Sequence, residues 1–157
     1  MSRLLAHNAE VVARFARESI DTTDADFARW LGEGWAVPAA PGPAEVWSTA
    51  AASDLYLPVP TDRDTDVTLW LNAIASPGRR TRIRVSVNGT PAGDIEVLNA
   101  AAHQPFTVTV PRSGGLLASI RLEYDQTWKP SALGPSADSR DLAVSIVRIS
   151  TSPGGLR

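Results

Sequence analysis

Arg82-Ile83-Arg84-Val85-Ser86-Val87-Asn88-Gly89 settles the class of the fold. Ile83, Val85 and Val87 alternate with Arg82, Arg84 and Ser86, the period of a strand with one buried and one wet face. Asn88-Gly89 follows at once. Both residues tolerate positive φ, so the chain is expected to turn back on itself as a hairpin. Working outward, Phe106, Val108 and Val110 alternate with Thr107 and Thr109, and Ile120, Leu122 and Tyr124 alternate with Arg121, Glu123 and Asp125. Strands are expected at about 46–50, 54–59, 66–74, 82–88, 93–98, 105–110, 117–125 and 142–150. Eight short strands with no helix between them predict a mainly β, antiparallel, jelly-roll-like β-sandwich. A parallel sheet would need crossover helices that the pattern lacks.

A short N-terminal helical segment precedes the sandwich. Residues 3–19 place Leu4, Leu5, Val11, Val12 and Phe15 near one side, with Arg3, Glu10, Arg14, Arg17 and Glu18 opposite. A second short helix is expected over about 24–31, closed by Gly32 and Gly34. Because two sheets already cover a sandwich core, the apolar side of the first helix is expected to meet a protein partner or a second copy of the chain. The division is therefore 1–32 helical segment, 33–151 sandwich and 152–157 tail.

At 157 residues the chain is long enough for one sizeable core. Its formal net charge of −2, with no basic block, gives no electrostatic case for nucleic acid. No run approaches the ~18 apolar residues of a membrane span. There is no cysteine, which excludes disulfides and thiolate metal sites. His7 and His103 are the only histidines, so no His cluster offers a metal site or a proton relay. Ser2 to Glu18 mixes acids and bases throughout and does not read as a signal peptide. The protein is thus expected to be made in the cytoplasm and released as part of a particle.

Ahead of the last strand lies Lys129-Pro130-Ser131-Ala132-Leu133-Gly134-Pro135-Ser136-Ala137-Asp138-Ser139-Arg140-Asp141-Leu142. A loop this polar needs partners for its backbone groups, and Asp138 and Arg140 can supply them as a clamp. This stretch, with Gly34-Trp35, Glu45-Val46-Trp47 and Val87-Asn88-Gly89, resembles the β-sandwich domain associated with bacterial surface-polysaccharide glycosyltransferases and envelope enzymes. The resemblance covers roughly residues 33 to 150, with Ala143 standing where that family usually carries Gly. It implies a sandwich that recognises a bacterial capsule or envelope polysaccharide.

Sugar rings stack on exposed aromatic planes. Trp70 is out of phase with Leu69 and Leu71, and Trp128 adjoins the clamp loop, so the expected ligand face is Trp70, Trp128, Asp138 and Arg140. Trp35 and Trp47 are expected in the core. Glycoside hydrolysis needs two carboxylates across a cleft, and most acids here fall in turns or on outward strand positions. Neither a Gly-x-Ser-x-Gly elbow nor a phosphate-binding glycine motif occurs. Asp62, Asp64 and Asp66 alternate along an extended turn in a spacing that calcium could use. The expectation is therefore a non-enzymatic carbohydrate-binding module without cofactor or metal, serving as the attachment component of an assembly such as a phage-like particle. The alternatives are a purely structural adaptor and an accessory domain of a polysaccharide-processing enzyme.

Overall fold

The computed structural model describes residues 19–36, 45–74, 79–113, 115 and 117–154. The helix expected over 3–19, with Leu4, Leu5, Val11, Val12 and Phe15, lies outside the described residues apart from Ser19.

The strands are β1 (Ile20–Asp21), β2 (Val46–Trp47), β3 (Ala52–Pro58), β4 (Thr65–Ala73), β5 (Arg80–Val87), β6 (Thr90–Leu98), β7 (Gln104–Val110), β8 (Leu117–Tyr124) and β9 (Val144–Pro153). They form two antiparallel sheets. The first has the order β1-β9-β4-β7, with β2 also pairing β9, and the second has the order β3-β8-β5-β6. Among consecutive strands from β2 onward only β5 and β6 are neighbours in one sheet, and every other connection crosses between sheets. That wrapped order is the connectivity of a jelly roll. The expected hairpin is present: Asn88 and Gly89 take φ of 50° and 81° between Val87 and Thr90.

The inner faces of the two sheets make the core. Alternation is strict in β4, where Thr65, Val67, Leu69, Leu71 and Ala73 are buried and the residues between them are half-buried. Leu55, Leu57, Ile83, Ile120, Leu122, Ile146 and Ile149 complete its centre. Removing each such side chain from water contributes about 1.5–3 kcal/mol.

The expected boundary at residue 33 falls inside this packed unit. Ile20 and Asp21 pair with Ile149 and Arg148, and Phe27, Trp30 and Leu31 enter the core. The helix expected over 24–31 is a single 3₁₀ turn, Phe27–Trp30. Phe27 and Trp30 must both point inward, and in a 3₁₀ turn residues three apart eclipse. The expected tail is shortened in the same way, since β9 runs on to Pro153 and the Gly154 N–H donates to the Asp64 carbonyl.

The Gly34-Trp35 pair closes the seam between this N-terminal run and β3. Gly34 has φ +83°, and a Cβ there would sit 2.1 Å from the Ala52 carbonyl oxygen, so only glycine fits. Trp35 then turns inward, and its indole Nε1 donates to the Asp54 carbonyl at 3.0 Å. Its core position matches the sequence expectation.

Candidate functional site

The outer faces of the two sheets differ in chemistry. On the β3-β8-β5-β6 face, outward arginines and carboxylates alternate across strands and neutralise one another. Arg80 holds Glu96 at 2.9 Å, Arg82 holds Asp94 at 2.9 Å, and Arg84 lies 3.8 Å from Glu123. Arg121 forks onto both oxygens of Asp54 at 3.0 and 3.1 Å. An open cleft of about 460 Å³ lies over Arg82, Arg84, Asp94, Glu123, Tyr124 and Asp125. Its charged groups are already engaged with each other, or in the case of Asp125 with the Arg82 N–H at 3.0 Å. Pairs this exposed are screened by water and contribute little to stability.

The outer face of the β1/β2-β9-β4-β7 sheet is different. Register sets its side chains in rows. Asp21, Arg148, Trp70 and Pro105 form one row, Ser150, Thr68 and Thr107 the next, and Ser152, Asp66 and Thr109 a third. Trp70 is half-buried, and the Arg148 guanidinium carbon sits 5.2 Å from its ring centroid, within cation–π range. Thr68 and Thr107 share a hydrogen bond of 2.9 Å, and the Thr109 hydroxyl donates to Asp66 at 2.6 Å. Asp21 accepts from both the N–H and the hydroxyl of Thr23, chiefly for which reason its carboxyl is held below the usual range.

A β-bulge puts Arg148 on this face. The β4–β9 register shifts between Trp70 and Leu71, so that Trp70 opposes Arg148 while Leu71 opposes Ile146. Val147 is the extra residue, and its carbonyl accepts the Thr22 N–H at 3.1 Å. Without the bulge, strict alternation from Ile146 would send Arg148 toward the core.

Above the Trp70 row lies a covered one. Trp47 and Asn72 flank Ser145 in the register, and Ser145 is fully buried. The Ser145 hydroxyl donates to Glu45 at 2.8 Å and lies 2.9 Å from His103 Nε2, which is itself 3.3 Å from Glu45. Asn72 pins the neighbouring loop, donating to the Ala100 carbonyl and accepting its N–H. This serine has no approach for a substrate, so the trio acts as a latch. Trp47 is here a correction. Val46 opposite Ile146 faces the core, so Trp47 stands on the outer side and is half-buried.

The four residues expected to form one ligand face each take their own partners. Trp70 stacks with Arg148. Trp128 pairs with Leu142 through both backbone bonds, 2.7 and 2.9 Å, and lies 5.9 Å under Arg79. Asp138 and Arg140 hold each other: Arg140 Nη2 donates to Asp138 Oδ2 at 2.7 Å and its Nε to Oδ1 at 3.0 Å. Those bonds pull the Asp138 carboxyl down to about 2. Lys129 adds donors to the Ser139 carbonyl and to Asp141, and Ser131 N–H donates to the Asp138 carbonyl around a one-turn helix α1 (Pro130–Leu133). The loop is therefore clamped on itself, as the sequence suggested for Asp138 and Arg140.

Asp64 and Asp66 serve hydrogen bonds to the Arg112 N–H and to Thr109, and among the described residues no three metal-ligating side chains gather. Sequence reasoning missed Arg148 and the outward side of Trp47. The first depends on a bulge and the second on a two-residue pairing, and neither leaves a local signal.

No family model matches the chain, and no curated protein is similar to it in sequence. Its likeness to solved structures is one of fold. The Podospora anserina GH26-CBM35 β-(1,4)-mannanase is 14% identical with a TM-score of 0.53, over 89% of this chain and 28% of that one. A ruminal GH26 endo-β-1,4-mannanase is 17% identical with a TM-score of 0.50, over 89% of this chain and 26% of that one. The carbohydrate-binding module CBM36 with calcium and xylotriose is 13% identical with a TM-score of 0.43, over 86% of this chain and 99% of that one. The chain spans about a quarter of the length of the mannanases it matches, and what it shares with them is the antiparallel β fold.

Proposed function

We propose that this is a non-catalytic carbohydrate-binding β-sandwich whose ligand lies across the outer face of the β1/β2-β9-β4-β7 sheet. The observation that carries the proposal is the row of Arg148, Trp70 and Pro105 beside the hydroxyls of Thr68, Thr107 and Ser150. An indole offers an apolar plane to the C–H face of a sugar. Short hydroxyls and a guanidinium offer donors and acceptors for its hydroxyl groups. Strands hold these groups in place before the ligand arrives, which lowers the entropy cost of binding.

The acids of this face suit binding better than cleavage. A glycosidase needs one carboxyl kept protonated by a raised pKa. Asp21 is instead lowered by its bonds from Thr23.

The finer reading, that the glycan is a bacterial capsule or envelope polysaccharide and the chain an attachment component of a phage-like particle, rests on the motif resemblance. Partner contacts through Leu4, Leu5, Val11, Val12 and Phe15 belong to the same proposal. A capsule and envelope polysaccharide pull-down with the intact protein and with Trp70→Ala tests both levels. Saturable binding that weakens about tenfold or more in the variant, with its thermal unfolding unchanged, is the expected outcome. Absence of binding to any polysaccharide, with the protein recovered in a defined complex, would replace the proposal with the structural adaptor.

A further inference from the structure

Eight of the ten arginines among the described residues divide by partner, Arg63 and Arg112 belonging to neither group. Arg29, Arg80, Arg82, Arg84, Arg121 and Arg140 each hold a carboxylate. Arg79 and Arg148 instead lie over tryptophan rings. The difference matters chemically. A guanidinium stacked on an indole keeps its charge and leaves its in-plane N–H groups open to another acceptor. Of the two, Arg148 stands on the open sheet face between its register partners Asp21 and Trp70, with Ser150, Thr68 and Thr107 in the next row.

We infer that the Trp70–Arg148 pair is a subsite for an acidic sugar: the indole takes the ring face and the Arg148 fork takes the carboxylate of a uronic acid. This rests on the carbohydrate-binding reading above and adds the class of glycan to it. A planar guanidinium matches a carboxylate with two parallel hydrogen bonds, about twice as strong as neutral ones. The nearest competing acid in the register is Asp21, whose carboxylate accepts from the N–H and hydroxyl of Thr23 and whose pKa is also lowered, to a lesser degree, by the Arg148 charge. With a net charge of −2 the chain as a whole does not attract polyanions. Preference for an acidic glycan must therefore come from a local group. Arg148 is exposed, so replacing it leaves the core untouched.

The test measures affinity for polygalacturonate, alginate and hyaluronan, each beside its carboxyl-reduced form, with poly-glutamate as an acidic polymer that lacks sugar. The intact protein should bind at least one uronate polymer about tenfold more tightly than its reduced form. Arg148→Gln should erase that difference while weaker binding to the reduced polymer persists, and Arg79→Gln should change neither. Equal affinity for acidic and reduced forms, lost together in Trp70→Ala, would overturn the acidic subsite and leave the carbohydrate reading standing. Equal binding to poly-glutamate would overturn it as mere charge attraction. Loss of the preference in Arg79→Gln rather than Arg148→Gln would overturn its location. Binding to none of the uronate polymers, with a neutral glycan still bound, would also overturn it.

Discussion

Asp138 and Arg140 hold each other in the loop. Two positions apart in a turn, they form a two-pronged ion pair that stiffens the loop before β9. The pair is exposed, so water and salt screen it. Its signature is in titration. The Asp138 carboxyl, ordinarily near 3.8, is pulled down to about 2 by the Arg140 hydrogen bonds. A depressed carboxyl stabilises the fold above its unfolded pKa. The small contribution is therefore whole above pH 3.8 and disappears as pH falls through about 2. Carboxyl NMR should place the Asp138 midpoint near the lower value, and Arg140→Gln should return it toward the upper one without altering the sheets. A midpoint that ignores the substitution would mean that the clamp does not persist in solution. Trp70 and Arg148 are joined differently, by a ring contact of 5.2 Å rather than by an ion pair.

At the scale of elements, the start of β9 is anchored by a side chain from the end of β2. Its first backbone groups are buried, and the N–H groups of Ala143 and Val144 both donate to the hydroxyl of Ser48, at 3.1 and 3.0 Å. Ser48 is itself fully buried at the end of β2. One hydroxyl thus satisfies two donors that water cannot reach. Ser48→Ala leaves both without that acceptor, although the Ser48 N–H still reaches the Val144 carbonyl. Each orphaned group costs about 1–3 kcal/mol, so urea unfolding should show a loss of at least about 2 kcal/mol. A change within ~0.5 kcal/mol would mean that another acceptor takes over. The His103–Ser145–Glu45 latch binds the β6–β7 loop to the same end of β9. β9 thus reaches the bulge at Val147 with its register already set, and Arg148 faces Trp70.

For the whole molecule, the sandwich needs the run before Trp35. Ile20, Phe27, Trp30 and Leu31 are all buried in the common core. Losing four such side chains forfeits about 1.5–3 kcal/mol each. That sum rivals the 5–15 kcal/mol net stability of an ordinary domain. A chain beginning at residue 33 should therefore lack a cooperative thermal transition, and retention of a sharp one would show that the core closes without this run. The strands β3 to β9 and the Asn88-Gly89 hairpin were legible because alternation and turn chemistry are local, and each of these strands overlaps its expectation. β1 was not legible: two residues carry no period, and only pairing with Ile149 and Arg148 defines them. Of the expected ligand face, Trp70 alone stands on an open sheet, while Trp128, Asp138 and Arg140 close the β8–β9 loop. By itself the sequence determined a mainly β, antiparallel sandwich, its hairpin and its self-clamped loop, because these follow from periodicity and near-neighbour hydrogen bonding. Only the tertiary structure decided that Phe27 and Trp30 belong to the core, that Trp47 faces outward and that Arg148 meets Trp70. Those outcomes depend on strand register and on one bulged residue, and a one-residue slip sends a side chain to the other face of the sheet.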